Sequence, residues 1–209
     1  MSFISRLYPI LDAGVLTVRG IALPDVAYEL RAAGITLLQY RDKAAEPQTI
    51  LRNAAVIAET FAGSGATLIM NDRADLAALA GWNGVHVGQE DLSPADARIV
   101  IGRGKVIGVS THTDEQVTAA DESVADYVAI GPVFATGTKL DAEPAVGLEG
   151  VRRVRALTRK PLVAIGGITR ENARSVIDAG ADSVAVISGL FVPGEPVEKV
   201  ARDFLELLR

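Results

Sequence analysis

The sequence predicts an α/β chain folded as a single (β/α)8 barrel across residues 1–209, and three observations predict it. Short apolar runs recur eight times. Helix-like segments separate them. Polar residues and glycines gather just after the runs. Unbroken apolar runs of four to six residues suit parallel strands buried on both faces. Strict alternation of strand and helix implies a parallel sheet. A count of eight favours closure into a TIM barrel over an open doubly wound sheet, although about 26 residues per unit is compact against a typical barrel of about 250 residues.

The runs are Leu7–Leu11, Ile35–Tyr40, Ala66–Met70, Gly84–Val87, Val106–Val109, Tyr127–Ile130, Leu162–Ile165 and Val184–Ile187. The first helix is expected after Pro24, with Val26, Ala27, Leu30 and Ala33 as its apolar stripe and Gly34 as its stop. Ile50, Ala54, Ile57, Ala58 and Phe61 mark the second. Ser93-Pro94 opens the fourth, Thr113 and Gln116 have capping-box spacing for the fifth, and Thr169 opens the seventh. Val197, Val200, Ala201, Phe204, Leu207 and Leu208 give the last helix its buried face. Trp82, between the third helix and fourth strand, reads as packing at the opposite end of the barrel.

Composition narrows the function classes. The 209 residues are 49% hydrophobic and 22% charged, with a net charge of -5. An acidic chain without a Lys/Arg run gives no reason to expect nucleic acid. The absence of cysteine excludes disulfides, thiolate metal sites and cysteine nucleophiles. The apolar stretch near the N-terminus is interrupted by Arg6 and Pro9 and is too short to span a membrane, so no membrane partner is expected and the expected location is the cytoplasm.

Barrel enzymes place their chemistry where strands end and βα loops begin. Gly166-Gly167 and Ser188-Gly189 follow the seventh and eighth runs, where barrels commonly receive a phosphate on backbone N–H groups; ordinary turn chemistry is the competing explanation for any one such loop. Gln39, Arg41 and Lys43 share a side of an extended chain, and Lys139 arrives from the sixth loop. These cations suit a polyphosphate, against the alternative of a solvated basic rim. Asp72 and Asp91 end consecutive strands about 4.8 Å apart, close enough to share one ion. An oxygen-only pair suits Mg²⁺, against the alternative that each caps a helix. His86, alternating with Val85 and Val87, reads as a hydrogen-bonded interior residue, and His112 either faces the site or shapes a turn. No Ser-His-Asp constellation is present, which points away from acyl transfer.

The loops together resemble a known family. Gln39-Tyr40-Arg41-Asp42-Lys43, Asn71-Asp72-Arg73, Val85 through Leu92, Gly108-Val109-Ser110, Gly131-Pro132-Val133-Phe134 through Thr138-Lys139, and Ala164 through Ile168 resemble thiamine phosphate synthase in order and along nearly the whole chain. The resemblance implies a transferase of thiamine biosynthesis. It joins 4-amino-2-methyl-5-hydroxymethylpyrimidine diphosphate to 4-methyl-5-(2-phosphoethyl)thiazole, or its carboxylated form, and releases thiamine phosphate and pyrophosphate. It implies that Gln39, Tyr40, Arg41, Asp42, Lys43, Asn71, Ser110 and Lys139 hold the pyrimidine diphosphate, with Arg41, Lys43 and Lys139 in the catalytic role. It implies that Thr136, Gly137, Thr138, Gly167, Ile187 and Ser188 hold the thiazole phosphate, and that Asp72 and Asp91 bind one Mg²⁺ per subunit. Gly137 stands where many relatives carry proline, and the sixth loop around it is expected to close over substrate. Three rivals share the fold: a thiazole tautomerase, for which His112 is the residue to watch; a non-catalytic sensor of thiamine phosphates; and a phosphate-binding barrel of sugar or tryptophan metabolism, which leaves the Asp72–Asp91 pair unexplained.

Overall fold

The computed structural model describes residues 4–136 and 144–209. Among these residues, eight parallel strands close in sequential order into a barrel. They are β1 (Leu7–Asp12), β2 (Leu37–Arg41), β3 (Thr67–Asn71), β4 (Gly84–Val87), β5 (Val106–Thr111), β6 (Tyr127–Ile130), β7 (Leu162–Ile165) and β8 (Ser183–Val186). The seam is the pairing of Leu7, Tyr8 and Pro9 with Val184, Ala185 and Val186. The helices around it are α1 (Ala13–Arg19), α2 (Leu23–Ala32), α3 (Pro47–Thr60), α4 (Ala74–Leu79), α5 (Pro94–Ile101), α6 (Asp114–Glu122), α7 (Gly147–Leu157), α8 (Ala173–Asp178) and α9 (Val197–Leu207), with a 3₁₀ turn at Ser188–Leu190. No helix among the described residues is long and apolar enough to cross a membrane.

Successive side chains of a strand point to opposite faces, so every strand feeds two cores. One set packs against the helices, including Leu38, Tyr40, Met70, Val85, Val87, Val128 and Val186. The other fills the barrel interior, where Tyr8, Ile10, Leu37, Ile69, Tyr127 and Val163 meet. Both faces of these strands are buried, which is why their sequences read as continuous apolar runs rather than as an alternation.

Local signals seat several helices as expected. Ser93 Oγ accepts the Asp96 N–H, and Thr113 and Gln116 form the full reciprocal capping box of α6. Pro24 and Pro47 occupy the first turns of α2 and α3. At α9, Val197, Val200, Ala201 and Phe204 face inward, and Glu29 of α2 accepts the Glu198 N–H at 2.9 Å.

Three features depart from the sequence expectation. Helix α1 lies where no helix was expected. Its Gly14, Val15, Thr17 and Val18 are poor helix formers. It forms because Asp12 accepts the Val15 N–H, Gly20 turns left-handed at φ 65° to close the last turn, and Leu16 is buried. Ile35 donates its N–H to Leu30 O, closing α2, so β2 starts later, at Leu37. Thr169 does not cap α8 with its side chain; residues 169–172 form a turn in which Thr169 O accepts the Asn172 and Ala173 N–H groups.

Inside the barrel, β5 passes so close to Tyr127 that a Cβ at Gly108 would lie 1.9 Å from the Tyr127 ring. Gly108→Ala is therefore expected to force this fully buried ring aside and to cost about 1–3 kcal/mol or more of stability. Chemical denaturation of the variant checks it, and an unchanged midpoint would show that the interior can relax around the methyl group.

Candidate active site

The inward-facing residues at the C-terminal ends of the strands enclose a cavity of about 570 Å³. On one wall, β2 contributes Gln39 and Arg41, with Lys43 just beyond its end; Asn71, Asp91 and Ser110 follow from β3, the β4 loop and β5. On the other wall stand Thr136, Gly167, Ile187 and Ser188. The period-two alternation of β2 decides which of its residues arrive. Gln39 and Arg41 point in, whereas Tyr40 points to the helix layer, where its hydroxyl accepts from Asn53 Nδ2 at 2.7 Å and donates to Asp42 at 3.0 Å. Asp42 Oδ1 in turn accepts the N–H groups of Ala44 and Ala45 and shapes the loop. Tyr40 and Asp42, expected on the pyrimidine diphosphate, are thus not brought to the cavity; both support the loop that carries Lys43. Gly137, Thr138 and Lys139 lie outside the described residues, as does the rest of the stretch 137–143 in the loop expected to close.

Each described cation at the cavity mouth meets a carboxylate. Arg41 Nη1 is paired with Asp12 Oδ2, and Lys43 Nζ with Asp72 Oδ2. Asp12 is buried, and its other oxygen holds the α1 N-terminus, so the guanidinium is anchored from a strand end that the sequence reading passed over. The signal was present: Asp12 follows the first apolar run as Asp72 follows the third.

Asp72 and Asp91 do come together. Burial raises the Asp72 pKa, the Lys43 contact pulls it down, and the neighbouring Asp91 carboxylate pushes it up again. Neither residue caps a helix with its side chain. Helix α4 begins at Arg73 without a side-chain cap, and α5 is capped by Ser93. Asp91 Oδ2 accepts the Gly88 N–H at 2.7 Å, folding the β4 loop back on itself. Asp72 adopts φ 60°, a left-handed conformation uncommon outside glycine, while its N–H donates to His86 O at 2.7 Å. Strained backbone of this kind clusters at functional sites. Two adjacent carboxylates with a lysine beside them fit a small hard cation that takes one or two protein oxygens and completes its shell with water and phosphate. No larger His, Cys, Asp or Glu cluster suited to a metal occurs among the described residues.

The opposite wall is built by close backbone contact. Gly166 and Gly167 have φ 104° and 64°, and a Cβ on either would strike Pro132 or the Phe134–Ala135 backbone of the sixth loop. Phe134 N–H donates to Gly166 O at 3.0 Å, joining the sixth and seventh loops. The glycines are thus required both by the positive-φ turn and by close packing against the sixth loop.

Both histidines line the cavity. His86 bonds Ser110 Oγ through Nε2 and Tyr127 Oη through Nδ1, each at 2.8 Å, which matches the expectation of a hydrogen-bonded interior residue. His112 donates from Nδ1 to Gly131 O at 2.6 Å, which fixes the orientation of its ring. Tyr8 and Tyr127 were missed in the sequence because each sits inside an apolar run and reads as core.

Comparison with known proteins gives the same direction from independent information. The profile of the thiamine monophosphate synthase family matches residues 7–190. A thiamine-phosphate synthase of Koribacter versatilis is 53% identical over 205 residues, covering 97% of this chain and 95% of that protein. One from Chloroflexus aurantiacus is 40% identical, covering 97% and 92%. Among solved structures, a thiamine phosphate pyrophosphorylase from Pyrococcus furiosus superposes with a TM-score of 0.84 at 31% identity, covering 97% of this chain and 95% of that one. A match of this extent, on a barrel whose Arg41, Lys43, Asp91 and Gly166-Gly167 line one cavity, with Asp72 held against Lys43 at its edge, places the chain in the thiamine monophosphate synthase family of enzymes.

Proposed function

We propose that the cavity joins the pyrimidine diphosphate to the thiazole phosphate, with loss of pyrophosphate, and that the chain thereby makes thiamine phosphate. The observation that supports this reading is that one cavity is lined by cations on one side and by glycine and serine loops on the other, so that each side could receive an anion. Arg41 and Lys43 stand with the Asp72–Asp91 pair on one side, and the Gly167 and Ser188 loops stand on the other. Two phosphorylated reactants need two such walls; a single sugar phosphate needs one.

In the proposed reaction the diphosphate departs from a benzylic-type CH₂ while the electron-rich aminopyrimidine supports the developing cation. The thiazole nitrogen attacks with a lone pair it already carries, so no protein base is needed at that atom. This accounts for a site without a nucleophile–base pair. The work left to the protein is to stabilise the departing anion and to hold the reactants in line. Mg²⁺ held by Asp72 and Asp91 would supply positive charge to the diphosphate oxygens. Arg41 is preset for the same anion by Asp12, and Lys43 reaches it by exchanging part of its contact with Asp72. Lys139, from the sixth loop, is proposed as the third cation. The Gly167 and Ser188 loops orient the thiazole phosphate. Ile187 gives the neighbouring wall an apolar surface for a ring.

The deciding experiment supplies both substrates with and without Mg²⁺ and follows pyrophosphate and thiamine phosphate. Isomerisation of the thiazole phosphate alone, with no pyrophosphate, would replace the synthase by a tautomerase. Asp72→Ala and Lys139→Ala are each expected to lower turnover about a hundredfold or more while leaving the far-ultraviolet spectrum unchanged. Near-normal rates in either variant would remove that residue from the proposed clamp. Asp12→Asn keeps an oxygen for the Val15 N–H but deletes the charge that anchors Arg41. It is expected to raise the KM for the pyrimidine diphosphate by about tenfold, the weight of one charge-assisted hydrogen bond, with little change in Tm. An unaltered KM would mean that Arg41 is positioned without Asp12.

A further inference from the structure

The floor of the cavity holds a polar chain that neither packing nor the proposed anion clamp accounts for. Gln39 Nε2 donates to Tyr8 Oη at 3.0 Å, Tyr8 Oη meets Tyr127 Oη at 3.0 Å, and Tyr127 Oη meets His86 Nδ1 at 2.8 Å. His86 Nε2 then meets Ser110 Oγ at 2.8 Å. The chain crosses the barrel from β2 through β1, β6 and β4 to β5, among apolar neighbours such as Ile10, Leu37 and Val163. Burying so many polar groups is costly unless each is matched, and an apolar floor would fill the same volume. Its two ends, Gln39 and Ser110, face the cavity, as do Tyr8 and His86, whereas Tyr127 lies beneath the lining.

Hydrogen-bond arithmetic gives the chain a direction. Burial raises the pKa of both phenols, so each keeps its single proton. With the Gln39 amide donating to Tyr8, a consistent chain has Tyr8 donate to Tyr127 and Tyr127 to His86 Nδ1. In that chain a His86 ring with one proton carries it on Nε2 and donates it to Ser110. Ser110 then has its hydroxyl proton to offer the cavity. At the other end, an amide whose nitrogen is held by Tyr8 leaves its carbonyl oxygen as the acceptor. Reversing the chain would exchange donor and acceptor at both ends together.

We propose that Tyr8, Tyr127 and His86 are positioning residues that present Gln39 as an acceptor and Ser110 as a donor, and so select a heteroaromatic ring bearing both an amino donor and a ring-nitrogen acceptor. This rests on the pyrimidine reading of the same wall. It adds that ring recognition is set through a chain centred on Tyr127, which does not line the cavity, and is separate from diphosphate binding.

Calorimetry of the full chain with Mg²⁺ tests it, using the pyrimidine diphosphate and inorganic pyrophosphate as probes. Tyr127→Phe keeps the ring and breaks the chain. It is expected to weaken pyrimidine diphosphate binding about tenfold or more while leaving pyrophosphate binding unchanged. Tyr8→Phe is expected to give the same loss, and the double variant no greater one, because a chain is broken only once. His86→Gln, which can accept and donate at once, is expected to retain more affinity than His86→Leu. Thermal melts identify any variant that fails to fold; Tyr8→Phe then carries the test in place of Tyr127→Phe. Wild-type affinity for the pyrimidine diphosphate in folded Tyr127→Phe or Tyr8→Phe overturns the proposal while leaving the synthase reading intact. Equal losses for both probes overturn it too, since they indicate general loosening of the barrel. A wild-type chain that binds the pyrimidine diphosphate no better than pyrophosphate sinks the pyrimidine reading itself, and the proposal with it.

Discussion

Closure of the sheet is the constraint on which the rest depends. Once Leu7 pairs with Val184 at the seam, every strand has one face toward the helices and one toward a shared interior too narrow for all its side chains to be large. Gly84 and Gly108 yield space to neighbouring backbone and to Tyr127, and the inward residues at the strand ends are driven to a single mouth. Residues far apart in the chain, such as Arg41, Asp91 and Ile187, become neighbours without any local signal linking them.

The mouth is an electrostatic arrangement held ready by its own counter-charges. Arg41 is matched by Asp12, and Lys43 by Asp72, which also bears the repulsion of Asp91. Such matching keeps the partly buried Arg41 oriented, where an unmatched charge would be expensive, while Lys43 stays open to solvent. In the proposed reaction, an arriving anion and a divalent cation would offer Lys43 and Asp72 alternative partners at once. Beneath the charges, the chain from Gln39 to Ser110 supplies directional neutral contacts, suited to a ring rather than to a phosphate.

The strand ends were legible because each carries an abrupt change from apolar to polar or glycine residues, and a barrel gives that change one meaning. The same rule, applied to the first strand, would have picked out Asp12. Tyr40 and Asp42 show where motif order exceeds geometry. Both sit inside the most characteristic run of the chain, yet the alternation that turns Gln39 and Arg41 inward turns Tyr40 toward Asn53. Helix α1 was hidden because its residues have weak propensity and its stability comes from Asp12 and Gly20 at its ends and Leu16 beneath it.

From its sequence alone this protein is an eight-unit parallel barrel with a polar, glycine-rich mouth, because burial on both faces and polar strand ends are written in consecutive residues. Three-dimensional closure alone decided which polar residues meet: that Asp12 anchors Arg41, that Asp72 and Asp91 share a neighbourhood, and that two tyrosines, read as core, form a polar chain with His86. The physical reason is that periodicity is a property of neighbours along the chain, whereas charge pairing and hydrogen-bond direction depend on distances across the barrel.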